Sequence, residues 1–213
     1  MDIKLPDALP TFVPDGRYSV EEWLAIEQAT GEKYEYHDGK LVSVRAMAGG
    51  TWKHTLIAGN VAFLGGGFVR DLAGQVQGKE TNCNVLSSDL RIYIPELTRY
   101  LYPELTIVCG NPTFDETVPS AIVNPRIVFE VTSPSSREYD EDLKFSFYSQ
   151  LSPLHEYVIV HQHRRAAEVR SRPNADSAWR TRVFAEDDGG FELDSLGGAE
   201  FPYDDVYRGW KPG

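Results

Sequence analysis

The sequence predicts an α/β fold, on three observations. Segments whose apolar residues recur at helical spacing are interleaved along the chain with short runs rich in Val, Ile, Tyr and Phe. Hydrophobic residues make up 41% and charged residues 25% of the 213 positions, the balance of an ordinary globular protein with enough chain for one substantial core. No internal repeat or low-complexity stretch divides the chain, so a loose arm over residues 1–17 and a single domain over 18–213 are expected.

Local signals define the elements in order. After the polar, proline-containing stretch Met1 to Arg17, Ser19-Val20-Glu21-Glu22 fits a capping box, and Trp23, Leu24 and Ile26 continue a short amphipathic helix to Thr30-Gly31. Asp38-Gly39 then marks a two-residue hairpin between Lys33 to His37 and Lys40 to Arg45. Ile57, Val61, Leu64, Phe68 and Leu72 predict a second helix from about Thr51 to Leu72. Its Gly65-Gly66-Gly67 costs about 1 kcal/mol per glycine relative to alanine, which points to a bend or close packing there. A phosphate-binding loop is the weaker reading of the glycines, because no Gly-Lys-Ser/Thr follows. Strands follow over Asn82 to Leu86, Asp89 to Ile94, Tyr100 to Cys109 and Arg126 to Ser133. Ser135 to Glu138 repeats the capping-box spacing, with Leu143, Phe147 and Leu151 as the buried stripe of a third helix. Glu156 to His161, Ala167 to Arg172 and Trp179 to Ala185 read as further strands, Glu186 to Gly190 as a turn, and Asp204 to Trp210 as a short helix or an extended tail.

Charge narrows the partners. A formal net charge of −11 opposes nucleic acid globally, because affinity for phosphates comes from Lys and Arg. Six arginines nevertheless crowd between Arg164 and Arg182; of these, Arg170 and Arg172 share one strand face and Arg180 and Arg182 another. A hairpin of the two strands could gather four guanidiniums for DNA; a solvated hairpin is the alternative. No apolar run reaches membrane-span length and the N-terminus lacks a signal-peptide core, so a cytoplasmic location without membrane contact is expected. Cys83 and Cys109 are too few for a zinc site or a disulfide framework, and each reads as a small buried apolar residue.

Two carboxylates carry most of the chemical information. Glu104 lies in Tyr-Leu-Tyr-Pro-Glu-Leu-Thr-Ile-Val and Glu130 in Arg-Ile-Val-Phe-Glu-Val-Thr-Ser, runs apolar enough to be buried on both faces. An ionised carboxylate buried there costs several kcal/mol unless a metal, a cation or hydrogen bonds compensate. A shared Mg²⁺ or Mn²⁺ is one explanation; glutamates at exposed edges or in salt bridges are the other. Period-2 alternation sets Glu104 with Thr106 and Val108, and Glu130 with Val128 and Thr132.

These motifs together resemble a known family. The order of the hairpin Tyr-Glu-Tyr-His-Asp-Gly-Lys, His54 opening a helix, Tyr-Pro-Glu-Leu-Thr-Ile-Val, Phe-Glu-Val-Thr-Ser-Pro-Ser-Ser, a helix with Asp140 and Lys144, then His-Glu-Tyr-Val-Ile-Val is similar to the putative restriction endonuclease family. The resemblance spans roughly Tyr18 to Trp210. It implies the PD-(D/E)XK, restriction-endonuclease-like fold, a mixed β-sheet flanked by helices, and Mg- or Mn-dependent hydrolysis of phosphodiester bonds in DNA, with a homodimer for duplex cutting.

Carried over residue by residue, the resemblance puts Glu104 at the aspartate of the Pro-Asp pair and Glu130 at the acid of (D/E)XK. Both would hold metal, with the Val131 main-chain carbonyl as a third ligand. Thr132 stands in place of the motif lysine, whose ammonium would orient the attacking water; Lys144 is the substitute the resemblance suggests, a surface lysine the alternative. Glu35, with His37 on its face, matches a further family acid, and a cross-strand ion pair would also explain it. His54 could meet substrate phosphate, orient a carboxylate or be structural. Asp89 reads as a turn residue or a supporting acid. His161 and His163, lacking a third ligand, make no zinc site. The rival functions are a non-enzymatic binding or scaffold protein on this fold and a hydrolase of small phosphoesters, which the acidic composition suits.

Overall fold

The computed structural model describes residues 15–44, 51–75, 82–132 and 139–211. The expected arm up to residue 14, the Ser135 to Glu138 capping box and the strand end at Arg45 lie outside them. Helix α1 (Val20–Thr30) starts at the predicted capping box, with Ser19 accepting from Glu22 N and Glu22 accepting from Ser19 N, and ends on Gly31 at φ 69°. Strands β1 (Tyr34–His37) and β2 (Lys40–Ser43) form the predicted hairpin. Its two turn residues, Asp38 and Gly39, both have positive φ, 47° and 91°, as the right-handed twist of a two-residue turn requires. Helix α2 (Trp52–Gln75) runs unbroken through the three glycines. A Cβ on Gly65 would lie 3.8 Å from Ile107 and Val85, so the helix passes close over the sheet at that point and the close-packing alternative holds.

Six strands make the main sheet, in the order β11-β10-β9-β8-β6-β3: β3 (Cys83–Ser87), β6 (Leu105–Cys109), β8 (Ile127–Thr132), β9 (Glu156–His161), β10 (Ala167–Ser171) and β11 (Arg180–Phe184). All neighbours are antiparallel except β8 and β9, which run parallel. A second sheet of five has the order β2-β1-β5-β4-β7, adding β4 (Arg91–Ile94), β5 (Arg99–Leu101) and β7 (Ala121–Ile122). The fold class is therefore the mixed α/β one expected.

Alternation along β8 assigns the layers. Ile127, Phe129 and Val131 pack with Ile57 and Val61 of α2 and with the hairpin β12 (Gly190–Leu193) and β13 (Ala199–Pro202). Val128, on the opposite face, packs with Ile92, Ile94 and Leu101 of the second sheet and with Phe147 and Tyr148 of α3 (Phe145–Tyr148). Trp23 and Ile26 of α1 cover the outer face of the second sheet through Tyr34, Tyr36 and Tyr100. Each large apolar side chain so buried contributes roughly 1.5–3 kcal/mol. Helix α4 (Tyr203–Val206) closes the described chain, resolving Asp204 to Trp210 toward the helical alternative.

Three expectations are corrected and one element is added. Tyr100 to Cys109 is not one strand: β5 belongs to the small sheet and β6 to the large one, and the chain crosses between them at Tyr102-Pro103-Glu104. Pro103 cannot donate to a ladder, so the run breaks there. Leu143 is 46% exposed, whereas Lys144 is buried with Phe147 and Leu151. The cause is a π-helical turn over Tyr139–Lys144 ahead of α3, whose wider turn rotates the stripe by one residue. The hairpin β12–β13 follows a single turn of 3₁₀ helix over Glu186–Asp188 and had no counterpart in the sequence reading. Finally, Cys83 and Cys109 are not separate apolar residues; they stand opposite each other in the β3–β6 register and form a disulfide.

That bond closes a sequence separation of 26 residues, for which loop-closure entropy gives about 3.5 kcal/mol. Urea titration in dithiothreitol, or of the Cys83→Ser, Cys109→Ser double variant, is expected to lower stability by about that amount. Coincident curves for oxidised and reduced protein would show that the ladder alone fixes β3.

Candidate active site

The Lys144 ammonium occupies the space between the two sheets. It lies 3.0 Å from Glu130 Oε1, 3.3 Å from Glu35 Oε1 and 3.3 Å from the Tyr102 carbonyl oxygen, acceptors enough for its three N–H groups. Each partner arrives from a different element. Glu130 alternates with Phe129 and Val131 and so faces away from α2 toward the second sheet. Glu35 alternates with Tyr34 and Tyr36, which face α1, and so points back toward the main sheet. Glu35 and Glu130 are 0% and 2% exposed, and Lys144 is 6% exposed. None of the three could be ionised at that depth alone, so the ammonium and the carboxylates require one another.

Glu35 has more donors than Lys144. Tyr102 N donates to its Oε1 at 3.3 Å, the Tyr139 hydroxyl donates to Oε2, and His37 Nε2 lies 3.3 Å from Oε2. Arg99 meets His37 at Nδ1. A guanidinium can only donate, so Nδ1 accepts and the ring hydrogen sits on Nε2, facing the carboxylate. Burial pushes the Glu35 carboxyl up, but the Lys144 charge and the His37 and Tyr139 hydrogen bonds more than reverse this and hold it below its ordinary value. Burial first, and then the Glu35 charge, push the Tyr139 phenol well above its usual range, so it stays a donor.

Glu104 occupies the chain crossing. Leu105 pairs with Phe129 in the β6–β8 register, so one step further Glu104 stands opposite Glu130. Its side chain keeps 25% exposure and lies 3.1 Å from His54 Nε2. His54 is positioned by the first turn of α2, where its N–H is held by Thr51 Oγ1. The Val131 carbonyl completes the rim. Thr132 O accepts from Gln162 N on the β9 side, so Val131 O points to the β6 side. The β6–β8 ladder ends at Leu105 opposite Phe129, short of Val131.

The structure thus brings Glu35, Glu130 and Lys144 into contact, pairs Glu104 with His54 at the chain crossing, and has Val131 next in sequence to Glu130. Thr132 does not approach the ammonium; its hydroxyl lies 3.2 Å from His161 Nδ1. Tyr139, His37 and Arg99 had no role in the sequence reading beyond the face His37 shares with Glu35. Asp89 is a surface acid paired with Lys33. Among the described residues no three His, Cys, Asp or Glu side chains are grouped to hold a metal by themselves.

The four arginines are not gathered. Val169 lies opposite Arg182 and Ser171 opposite Arg180, so Arg180 and Arg182 occupy the sheet face opposite to Arg170 and Arg172. Arg170 pairs with Glu168 and stacks on Phe145. Arg172 is buried against main-chain carbonyls, and Arg182 pairs with Glu192 and Asp194.

A family model described as "Putative restriction endonuclease" matches residues 20–203. "Uncharacterized protein slr1290" of Synechocystis sp. is 32% identical over 196 residues, covering 92% of this chain and 94% of that protein. "Uncharacterized protein sll1609" of the same organism is 28% identical over 141 residues, 66% of this chain and 73% of the relative. No helix among the described residues is long and apolar enough to cross a membrane.

A carboxyl whose folded value is depressed adds stability that is complete above its ordinary value of 4.5 and is lost as pH falls through the folded value. Glu35→Gln is therefore expected to flatten the loss of stability below that pH. At pH 7, Lys144→Met leaves two carboxylates buried without their cation and should cost about 3–5 kcal/mol, part of which Glu35→Gln in the same chain restores. Urea titrations at the two pH values check both; a Lys144→Met variant as stable as wild type would mean that the ammonium does not compensate the acids.

Proposed function

The chain belongs to the putative restriction endonuclease family, and from that premise we propose that it is a metal-dependent endonuclease hydrolysing phosphodiester bonds in DNA, acting as a homodimer on duplex substrate. The observation that supports this reading most is the contact of Lys144 with Glu130. It supplies from the following helix the ammonium that Thr132 cannot supply from the strand.

Glu104, Glu130 and the Val131 carbonyl are the groups that would hold the metal. Their chemistry fits Mg²⁺ or Mn²⁺: hard oxygen donors, too few to close the coordination shell, with one carbonyl beyond the end of the β6–β8 ladder. A divalent ion bound there supplies positive charge to a phosphate oxygen and lowers the pKa of a coordinated water.

The chain's own groups divide the remaining tasks. Among its described contacts, Lys144 meets two carboxylates and the neutral Tyr102 carbonyl. The N–H on that carbonyl is the one most readily exchanged, so the ammonium can turn it to a water or to a phosphate oxygen while both acids keep it in place. Glu35 acts through Lys144, with Tyr139 and His37 fixing its second oxygen. His54 orients Glu104 and leaves that carboxylate at the exposed rim, where substrate arrives.

The test combines calorimetry with plasmid nicking. Wild type is expected to bind Mn²⁺ and to nick supercoiled DNA with Mg²⁺ or Mn²⁺. Glu104→Ala and Glu130→Ala should bind metal much more weakly and cut at least about a hundredfold more slowly. Lys144→Arg keeps the charge between the acids but replaces a compact ammonium by a planar fork, so it should bind metal and fold while losing most of the activity. Wild type that neither binds Mn²⁺ nor cuts DNA, or Glu130→Ala that binds Mn²⁺ as tightly as wild type, overturns the proposal.

A further inference from the structure

Helix α2 packs on the main sheet through Ile57 and Val61, and its opposite side faces outward. At about 100° per residue, Trp52, Leu56, Gly59, Phe63, Gly66 and Arg70 fall within an arc of about 80° on that outward side. Trp52 is 62% exposed and Phe63 is 78% exposed. Gly59 and Arg70 are exposed as well, and Leu56 and Gly66 are partly so. A single apolar side chain at a surface needs no explanation, but two aromatic rings and a leucine on one stripe of one helix do.

The glycines of this stripe have no use within the chain. Gly65 lies over the sheet, where a Cβ would meet Ile107 and Val85, whereas a Cβ on Gly59 or Gly66 would meet nothing within 4 Å. Each glycine costs the helix about 1 kcal/mol relative to alanine. A cost with no return inside the chain points to a contact outside it, one that brings another helix close against this backbone.

We propose that this face is the homodimer interface, with the α2 helices of two copies packed antiparallel about a two-fold axis at the level of Val61. Residues equidistant from that level then face each other. Phe63 meets the partner's Gly59, Leu56 meets the partner's Gly66, and Arg70 meets the partner's Trp52. A two-fold interface has to match its own reverse, and this stripe does: a large apolar side chain stands opposite a glycine, and a guanidinium opposite an indole face. A different protein as partner would place no such demand on the order of residues. Arg70 is available for that contact, since it enters no salt bridge among the described residues. The stripe carries no carboxylate, so it is spared the repulsion that a net charge of −11 on each copy imposes elsewhere. The area is adequate too. The exposed parts of Trp52 and Phe63 offer roughly 150 Å² each, about 600 Å² from the four rings of a dimer, and the remaining positions bring the total to the order of 1,000 Å² that a specific interface needs.

The interface rests on the homodimer of the proposed function and gives it a surface. His54 lies about 200° around the helix from Trp52, so pairing through the stripe leaves His54 and Glu104 uncovered. Assembly and cleavage can therefore be read separately.

Sedimentation velocity of the full chain without metal or DNA reads the assembly, and plasmid nicking with Mg²⁺ or Mn²⁺ reads the function. Wild type is expected to sediment as a dimer at concentrations on the order of 10 μM. Gly59→Gln puts a better helix former where the single copy has open space, so thermal unfolding of dilute protein should show a fold at least as stable as wild type. Its dimer should nevertheless dissociate about a hundredfold more readily, because the added side chain meets the partner's Phe63. Phe63→Gln removes the ring from the other side of the same contact and should weaken the dimer to a similar extent. Wild type that stays monomeric at concentrations on the order of 100 μM overturns the proposal, as does either variant dimerising as tightly as wild type. A wild-type dimer dissociated by both substitutions but unable to nick DNA supports the interface and overturns the nuclease reading alone; a monomer that nicks DNA overturns the interface alone.

Discussion

A single buried ammonium joins the layers of this protein. Lys144 touches Glu130 of the main sheet, Glu35 of the small sheet and the main chain where one sheet hands over to the other. Two carboxylates from different sheets would otherwise repel across a space closed to water, where several kcal/mol are at stake per uncompensated charge. The ammonium can sit there only because the π-helical turn ahead of α3 brings residue 144 to the inner face in place of Leu143. Packing then follows from electrostatics: with Lys144 in place, Phe147, Tyr148 and Leu151 are phased to fill the gap between the sheets.

Tyr102 passes this constraint outward. Its N–H serves Glu35 and its carbonyl serves Lys144, so the crossing segment cannot slide without breaking both contacts. Its hydroxyl reaches Glu27 of α1, a carboxylate that also receives Tyr34 N and Arg91. The Arg91 guanidinium lies over the rings of Trp23 and Tyr102, which shields this network from water on the outer side. Burial and the Glu27 charge both push the Tyr102 phenol above its usual range, so it remains a donor to Glu27. Glu104 owes its place to this chain of contacts, standing two residues beyond Tyr102 and opposite Glu130.

Short-range signals were legible and registers were not. The capping box at Ser19, the Asp38-Gly39 turn, and the strand from Glu156 to His161 each rest on a few adjacent residues, and each is found as expected. Glu130 stood out because one acid interrupts an apolar strand, and Lys144 through a family pattern. The disulfide depends on Cys83 meeting Cys109 across a ladder whose register no local pattern specifies. The arginine pairs failed for the same reason. Spacing within each strand correctly gave shared faces, but only the antiparallel register decides whether Arg170 meets Arg182 or Val169 does. At Leu143 the period itself changed, from an α-helical to a π-helical turn. Pro103 was the available signal for the crossing, since an interior strand has no use for a residue without an N–H.

The different surroundings of Thr132 and Lys144 follow from strand geometry. Residues 130 and 132 share a strand face about 7 Å apart, so a lysine at 132 would have to fold back along the strand to reach Glu130. Here that position is given to a hydroxyl bonded to His161, at the end of the parallel strand β9. The ammonium instead comes down from the turn before α3, across the sheet rather than along it, and meets Glu35 on the way. The charge beside the strand carboxylate Glu130 therefore comes from a different element than its own strand, and Glu35 anchors that ammonium from the small sheet.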